Sequence, residues 1–175
     1  TRTPPLDLTG RGDAVALAQA VGGTLLPTGS VRVPAGTQVS ALPGYDAGAF
    51  WVQDAAAALP VRLLGDVTGK RALDLCAAPG GKTLQLAAGG ADVTAVDLSA
   101  RRVARLRENL TRTGLTATVR VTDAFKISAD KGLTPDQTGT QNTGPWDVVV
   151  LDAPCTATGT LRRHPDLPHV KTAEA

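Results

Sequence analysis

Short apolar runs recur at Ala72 to Cys76, Asp92 to Leu98, Ala117 to Thr122 and Asp147 to Leu151. Between the first three lie two segments of helical period, Lys82 to Ala88 and Ser99 to Thr113. In the second, Val103, Leu106 and Leu110 mark one apolar stripe, while Arg101, Arg105, Glu108 and Arg112 point away from it. Strands alternating with helices predict a parallel sheet. The last run, Val148-Val149-Val150-Leu151, is apolar at every position, the pattern of a strand buried on both faces and paired on both sides. The expected order, third-second-first-fourth, places that run on an open edge. The chain is therefore expected to be partial, or to have a partner across that edge.

The first third reads differently. Asp13 to Val21 predicts a short helix with Asp13 near its N-cap and Gly22-Gly23 as its stop. Val31 to Leu42, broken by Pro34 and Gly36, predicts short strands or turns. Phe50-Trp51-Val52-Gln53 leads into Asp54, a candidate N-cap for Ala55 to Leu64, where Pro60 should bring a kink or an early end. Residues 1–65 are expected to form a small appendage packed on a main domain of residues 66–175; positioning of a substrate is the other reading. Ile127 to Pro145 lacks periodicity and reads as a long surface loop or irregular crossover.

Composition narrows the class. The 175 residues, 42% hydrophobic, suit one α/β domain with such an appendage. No run is long enough to span a bilayer and no signal-peptide core follows Thr1, so a cytoplasmic protein without membrane contact is expected. A net charge of +2 is compatible with nucleic acid without arguing for it. Cys76 and Cys155 could pair, but their strand-end settings favour reduced thiols. No metal site is expected, and the oligomeric state is not indicated.

The chemistry concentrates at Ala72 to Thr83, where an apolar run breaks at Pro79-Gly80-Gly81 into a helix start. Adjacent glycines let a backbone approach a ligand closely. A P-loop would need its first glycine where Cys76 stands, and Ala78-Pro79-Gly80-Gly81 is no dinucleotide fingerprint. What remains is a nucleoside-like ligand without a phosphate chain, a description that S-adenosylmethionine fits. Asp97, Asp123 and Asp152 follow the second, third and fourth runs, which brings all of them to the carboxyl edge, where open α/β sheets bind ligands. Asp97 is placed to accept from ribose hydroxyls. For any one of these aspartates a helix N-cap is the competing role. In Asp152-Ala153-Pro154-Cys155 the thiol can be nucleophile, general acid/base or filler. Arg162-Arg163-His164 suits a phosphate backbone or a solvated surface.

These stretches closely resemble the Sun (RsmB-like) family of S-adenosylmethionine-dependent RNA cytosine-5 methyltransferases, many of which act on ribosomal RNA. The match takes in Leu73 to Thr83, Asp97 with Arg102, Asp123, Leu151 to Gly159 and Arg162 to Asp166. Upstream, Ala41 to Tyr45 and Val52-Gln53-Asp54 also look like the family. The resemblance implies a Rossmann-like class I methyltransferase of which this chain carries about the first four strands, the full fold adding three more. It further implies that Cys76, Ala77, Ala78, Pro79, Gly80, Gly81 and Lys82 form the cofactor loop, that Asp97 binds the ribose, that Asp123 lies near the adenine and that Arg102 helps hold the cofactor. Lys82 and Asp152 would border the methionyl end and the target base. In this family a cysteine adds at carbon-6 of cytosine so that carbon-5 can accept the methyl group, with the base first unstacked into the pocket. That cysteine lies in a later Thr-Cys motif, which the chain ends before, so no residue here is assigned as the family nucleophile. Cys155 would assist product release; as in DNA cytosine-5 methyltransferases, a Pro-Cys thiol can also attack. Rival readings are a methyltransferase for DNA or protein, and a non-catalytic RNA-binding module with a vestigial cofactor pocket.

Overall fold

The computed structural model describes residues 3–127 and 145–155. The chain opens with β1 (Leu6–Gly10), α1 (Ala14–Val21), β2 (Thr24–Leu25), β3 (Val31–Val33), β4 (Phe50–Val52) and α2 (Ala55–Arg62). The strands pair antiparallel in the order β2-β3-β1-β4. Leu8, Val31, Val33 and Phe50 face α1 and form a core with Leu17 and Ala18. Asp7 and Thr9 occupy the other face of β1 and are also buried. The sequence pattern indicated no strand at Leu6–Gly10, because polar residues here occupy buried positions and the usual contrast between faces is lost. Asp13 and Asp54 do cap α1 and α2, accepting from the amides of Val15 and Ala56. α2 passes through Pro60 and stops at Arg62, short of Leu64.

A parallel sheet follows, built from β5 (Arg71–Leu75), β6 (Asp92–Asp97), β7 (Thr118–Val121) and β8 (Val148–Leu151), with α3 (Gly81–Ala88) and α4 (Ala100–Thr113) in the crossovers. Its order is β7-β6-β5-β8, as the alternating pattern predicts. Ser99 caps α4, accepting from the Arg102 amide, and Val103, Leu106 and Leu110 are buried against the sheet. Val148 and Val150 are buried, whereas Val149 is 55% and Leu151 63% exposed, so among the described residues only one face is covered. An all-apolar run cannot by itself show which face finds a partner.

The two sheets meet along α4. Trp51 packs with Ala77, Ala78, Leu84, Leu106 and Leu110, joining β4 to the second sheet's helices. Gly48 has φ +66°, and a Cβ there would lie 2.3 Å from the Arg112 carbonyl oxygen, so only glycine permits this approach. Arg112, which the helical period places on the outer face, folds back instead. Its guanidinium donates to the Tyr45 and Phe50 carbonyls at 2.8 and 2.9 Å and lies 4.3 Å from the Tyr45 ring centroid. The carbonyl of Phe50 at the start of β4 and that of Tyr45 in the turn before it offer this arginine partners that a period cannot reveal. Ile127 to Pro145 lies largely outside the described residues, and Thr156 to Asp166 entirely so. Among the described residues, no helix is long and apolar enough to cross a membrane.

Candidate functional site

The turn after β5 is fixed from three sides. Cys76 leaves the strand at φ 60°, a conformation unfavourable for a residue with a Cβ. The Ala77 amide then donates to the Val96 carbonyl at 2.9 Å and the Ala78 amide to Asp97 Oδ2 at 3.1 Å, tying the turn to the end of β6. Asn109 of α4 donates to the Pro79 carbonyl at 3.1 Å. Gly80 takes φ +113° with its α-carbon against Leu106, where a Cβ would come within 3.2 Å. On the opposite side the Gln53 side chain lies against Gly81. Gln53 is itself held by Trp51 Nε1, which donates to its Oε1 at 2.9 Å, and donates its own Nε2 to Gln85 Oε1 at 2.6 Å. β4, α3 and α4 together set the path of the turn.

Beside it lies a cavity of about 200 Å³ lined by Val52, Gln53, Asp54, Ala57, Asp74, Cys76, Ala77, Ala78, Pro79, Gly81, Lys82 and Asp152. Most of the expected loop, with Lys82 and Asp152, is therefore brought to one space. Lys82 Nζ donates to Asp152 Oδ2 at 2.7 Å; Asp152 is 65% exposed and its lysine partner 13%. Three aspartates and one lysine line the cavity. That balance favours a cationic group and repels a phosphate chain.

Asp97, Arg102, Asp123 and Cys155 do not line this cavity. Asp97 is 2% exposed and turned inward. Its Oδ1 accepts from the Ser99 amide and from Arg102 Nη2, both at 2.9 Å. Arg102 thus secures Asp97, and Asp97 secures the turn. Asp123 accepts from the Phe125 amide at 3.0 Å and caps the short 3-10 turn Ala124–Lys126. Cys155 is exposed just past Asp152, and neither cysteine is in a disulfide. Burial, with the Asp97 charge added and Arg102 opposing, pushes the Cys76 thiol up, so Cys76 stays protonated and is a poor nucleophile.

Asp74 is a site residue that the sequence pattern does not single out. It is 1% exposed on β5; its Oδ2 accepts from the Thr83 hydroxyl at 2.6 Å, and its Oδ1 has no hydrogen-bond partner among the described residues. Burial pushes its carboxyl up to about 6; Asp152 and Asp97 add to the rise, and Thr83 and Lys82 oppose it. The available signal was an acid inside a strand otherwise apolar. In the sequence Gln53 stands only within a stretch similar to the family, without a role, and Asp54 only as the N-cap of α2. Among the described residues, no group of three or more His, Cys, Asp or Glu side chains could hold a metal ion.

Residues 61–175 match the family described as 16S rRNA methyltransferase RsmB/F. The chain belongs to this family. It is 46% identical over 140 residues to ribosomal RNA small subunit methyltransferase B of Cronobacter sakazakii, a match covering 79% of this chain and 30% of that protein. The RsmB/F-family chain therefore spans about 30% of the length of the curated relative it matches. Among solved structures, PH0851 superposes with a TM-score of 0.79 at 24% identity, covering 99% of this chain and 40% of that one. NSun6 from Pyrococcus horikoshii, solved with SFG, gives a TM-score of 0.54 at 28% identity over 72% of this chain and 33% of its own. The RsmB/F chain thus has the Rossmann-like methyltransferase fold, and its parallel sheet carries the cavity at the edge where such folds bind ligands.

Proposed function

We propose that this chain binds S-adenosylmethionine and serves methyl transfer to carbon-5 of a cytosine in ribosomal RNA, in the cytoplasm. The observation that carries the reading is the cavity that, among the described residues, is lined by Asp54, Asp74 and Asp152 against Lys82 alone, with no hydrogen-bond partner there for one carboxylate oxygen of buried Asp74. A sulfonium with an α-ammonium group fits this charge, whereas ATP or NAD would bring phosphates to three carboxylates. When bound, S-adenosylmethionine supplies the electrophilic methyl group.

The chain's own groups divide the remaining work. Asp74 faces the cationic end of the ligand, with Thr83 holding its other oxygen. The turn from Cys76 to Lys82 supplies backbone contacts at the sheet edge, and Asp97, at the end of β6, fixes that turn. Lys82 and Asp152 stand where the target base would enter. A cytosine can exchange their mutual contact for hydrogen bonds to its own polar edge, which orients carbon-5 toward the methyl donor. Cys155, past Asp152, is near enough in sequence to serve proton removal or product release. The relatives named as ribosomal RNA methyltransferases support the substrate class.

Calorimetric titration with S-adenosylmethionine, ATP and NAD tests the first half. Stoichiometric, selective binding of S-adenosylmethionine is expected, and a preference for ATP overturns the reading. Labelled methyl transfer by the full-length protein tests the second. Label recovered as 5-methylcytidine after ribonuclease digestion is expected; incorporation resistant to ribonuclease points to DNA or protein instead, and RNA retention indifferent to the cofactor points to a binding module.

A further inference from the structure

α4 carries five arginines against the single acid Glu108, a formal +4, in a chain whose total is +2, so all other residues together sum to −2. Two of the five are accounted for within the fold, Arg102 by Asp97 and Arg112 by the carbonyls of Tyr45 and Phe50. Arg101 and Arg105 are exposed and four residues apart, which stacks them on one line of the outer surface. Their placement works against the helix. Arg101 lies in the first turn, where the positive end of the helix dipole repels a cation and no residue of that turn is acidic. Arg101 and Arg105 also repel each other at the i, i+4 spacing. Helix stability therefore does not explain them, and a polyanion held outside the fold does.

Their position names the polyanion. α4 begins at the carboxyl rim, with its cap Ser99 two residues past Asp97, whose carboxylate holds the Ala78 amide. The cavity lies over the ends of β5 and β8, one to two strand spacings from β6, roughly 5–10 Å. A strand whose base enters the cavity can bring its neighbouring phosphates to the first turns of α4. Guanidinium groups match phosphate oxygens in a bidentate fork. We propose that Arg101 and Arg105 form a docking strip for the phosphodiester backbone of the RNA beside its target base. This rests on the RNA reading given above.

The test is filter binding of a 16S ribosomal RNA transcript by the full-length protein between 50 and 200 mM salt, roughly the range over which counterion release is read. The Arg101→Ala/Arg105→Ala variant is expected to bind about 5- to 20-fold more weakly at intermediate salt. Its log–log salt slope should be shallower by about 1.4, at about 0.7 per lost phosphate contact on a single strand. Arg101→Lys/Arg105→Lys should keep most of the slope, and both variants should take up S-adenosylmethionine as the parent does. Unchanged affinity and slope in the alanine variant overturn the strip. So does an equal loss per charge from Arg107→Ala on the other flank, which would make bulk charge the cause. Loss of binding to polyglutamate with RNA binding intact would assign an acidic protein instead and also overturn it. A parent protein that binds S-adenosylmethionine but no RNA refutes the RNA reading itself; a parent that binds RNA beside an unaffected variant refutes only the strip.

Discussion

Asp7 in the antiparallel sheet and Asp74 in the parallel sheet are both almost fully buried, at 0% and 1% exposure, yet their surroundings are opposite. Asp7 accepts from Arg32 Nε at 2.7 Å and Nη2 at 3.0 Å, and from the Ala55 amide at 3.1 Å. Donating to Asp7 in turn holds the Arg32 guanidinium above its usual range. Asp74 has the Thr83 hydroxyl and an oxygen with no hydrogen-bond partner among the described residues. A buried charge matched by a guanidinium and an amide belongs to the architecture, where it locks β1, β3 and the start of α2 together. One left half-matched beside a cavity costs stability until a ligand completes it.

Removing Arg32 should give the largest effect. Arg32→Ala leaves Asp7 buried without its cation, and urea unfolding should show a loss of about 3 kcal/mol. That is the lower end for a broken buried pair because Arg32 is 36% exposed. A loss below about 1 kcal/mol would erase the contrast with Asp74.

Asp74→Asn should act in the other direction. With its carboxyl near 6, above the ordinary value, the folded state holds this proton more tightly than the unfolded state. The Asp74 contribution to stability is therefore highest below about pH 4, falls as pH rises from about 4 to 6, and levels off above. An amide can still accept from Thr83, carries no charge and should flatten that slope, gaining on the order of 2 kcal/mol near pH 7.5. The same variant should bind S-adenosylmethionine at least about tenfold more weakly, a trade of function for stability. Denaturation curves across this pH range decide the first part; a slope identical to that of the parent would show that Asp74 is not its source.

The smallest stability change is expected at the Lys82–Asp152 pair. Asp152 is 65% exposed, so Asp152→Asn should shift stability by less than about 0.5 kcal/mol. Methyl transfer by the full-length protein should nevertheless drop about 100-fold. A large stability loss with activity retained would class this pair with Asp7 and Arg32 as architecture.

The two sheets also differed in how far they could be read. β5 to β8 were legible because buried parallel strands give apolar runs ending in Asp or Gly, and their boundaries fell within a residue or two of expectation. In the antiparallel sheet, Asp7 and Thr9 break the pattern of β1, while β2 and β3 are two and three residues long, too short for any period to register. At the site, the turn from Cys76 to Lys82 was visible as chemistry. The roles of Asp74, Thr83 and Gln53 were not, since they depend on burial and on partners up to 32 residues away, as between Gln53 and Gln85.

By itself, the sequence determined the alternation of strands and helices from β5 onward, the glycine turn between β5 and α3, and the delivery of aspartates to one rim, because these follow from local period and turn chemistry. Tertiary structure decided which of those aspartates face a cavity. It turned Asp97 and Asp123 toward backbone amides, folded Arg112 onto Tyr45 and left one Asp74 oxygen without a hydrogen bond. The reason is physical: a carboxylate's role is set by the donors and the solvent around it, and the donors here come from strands and helices distant along the chain.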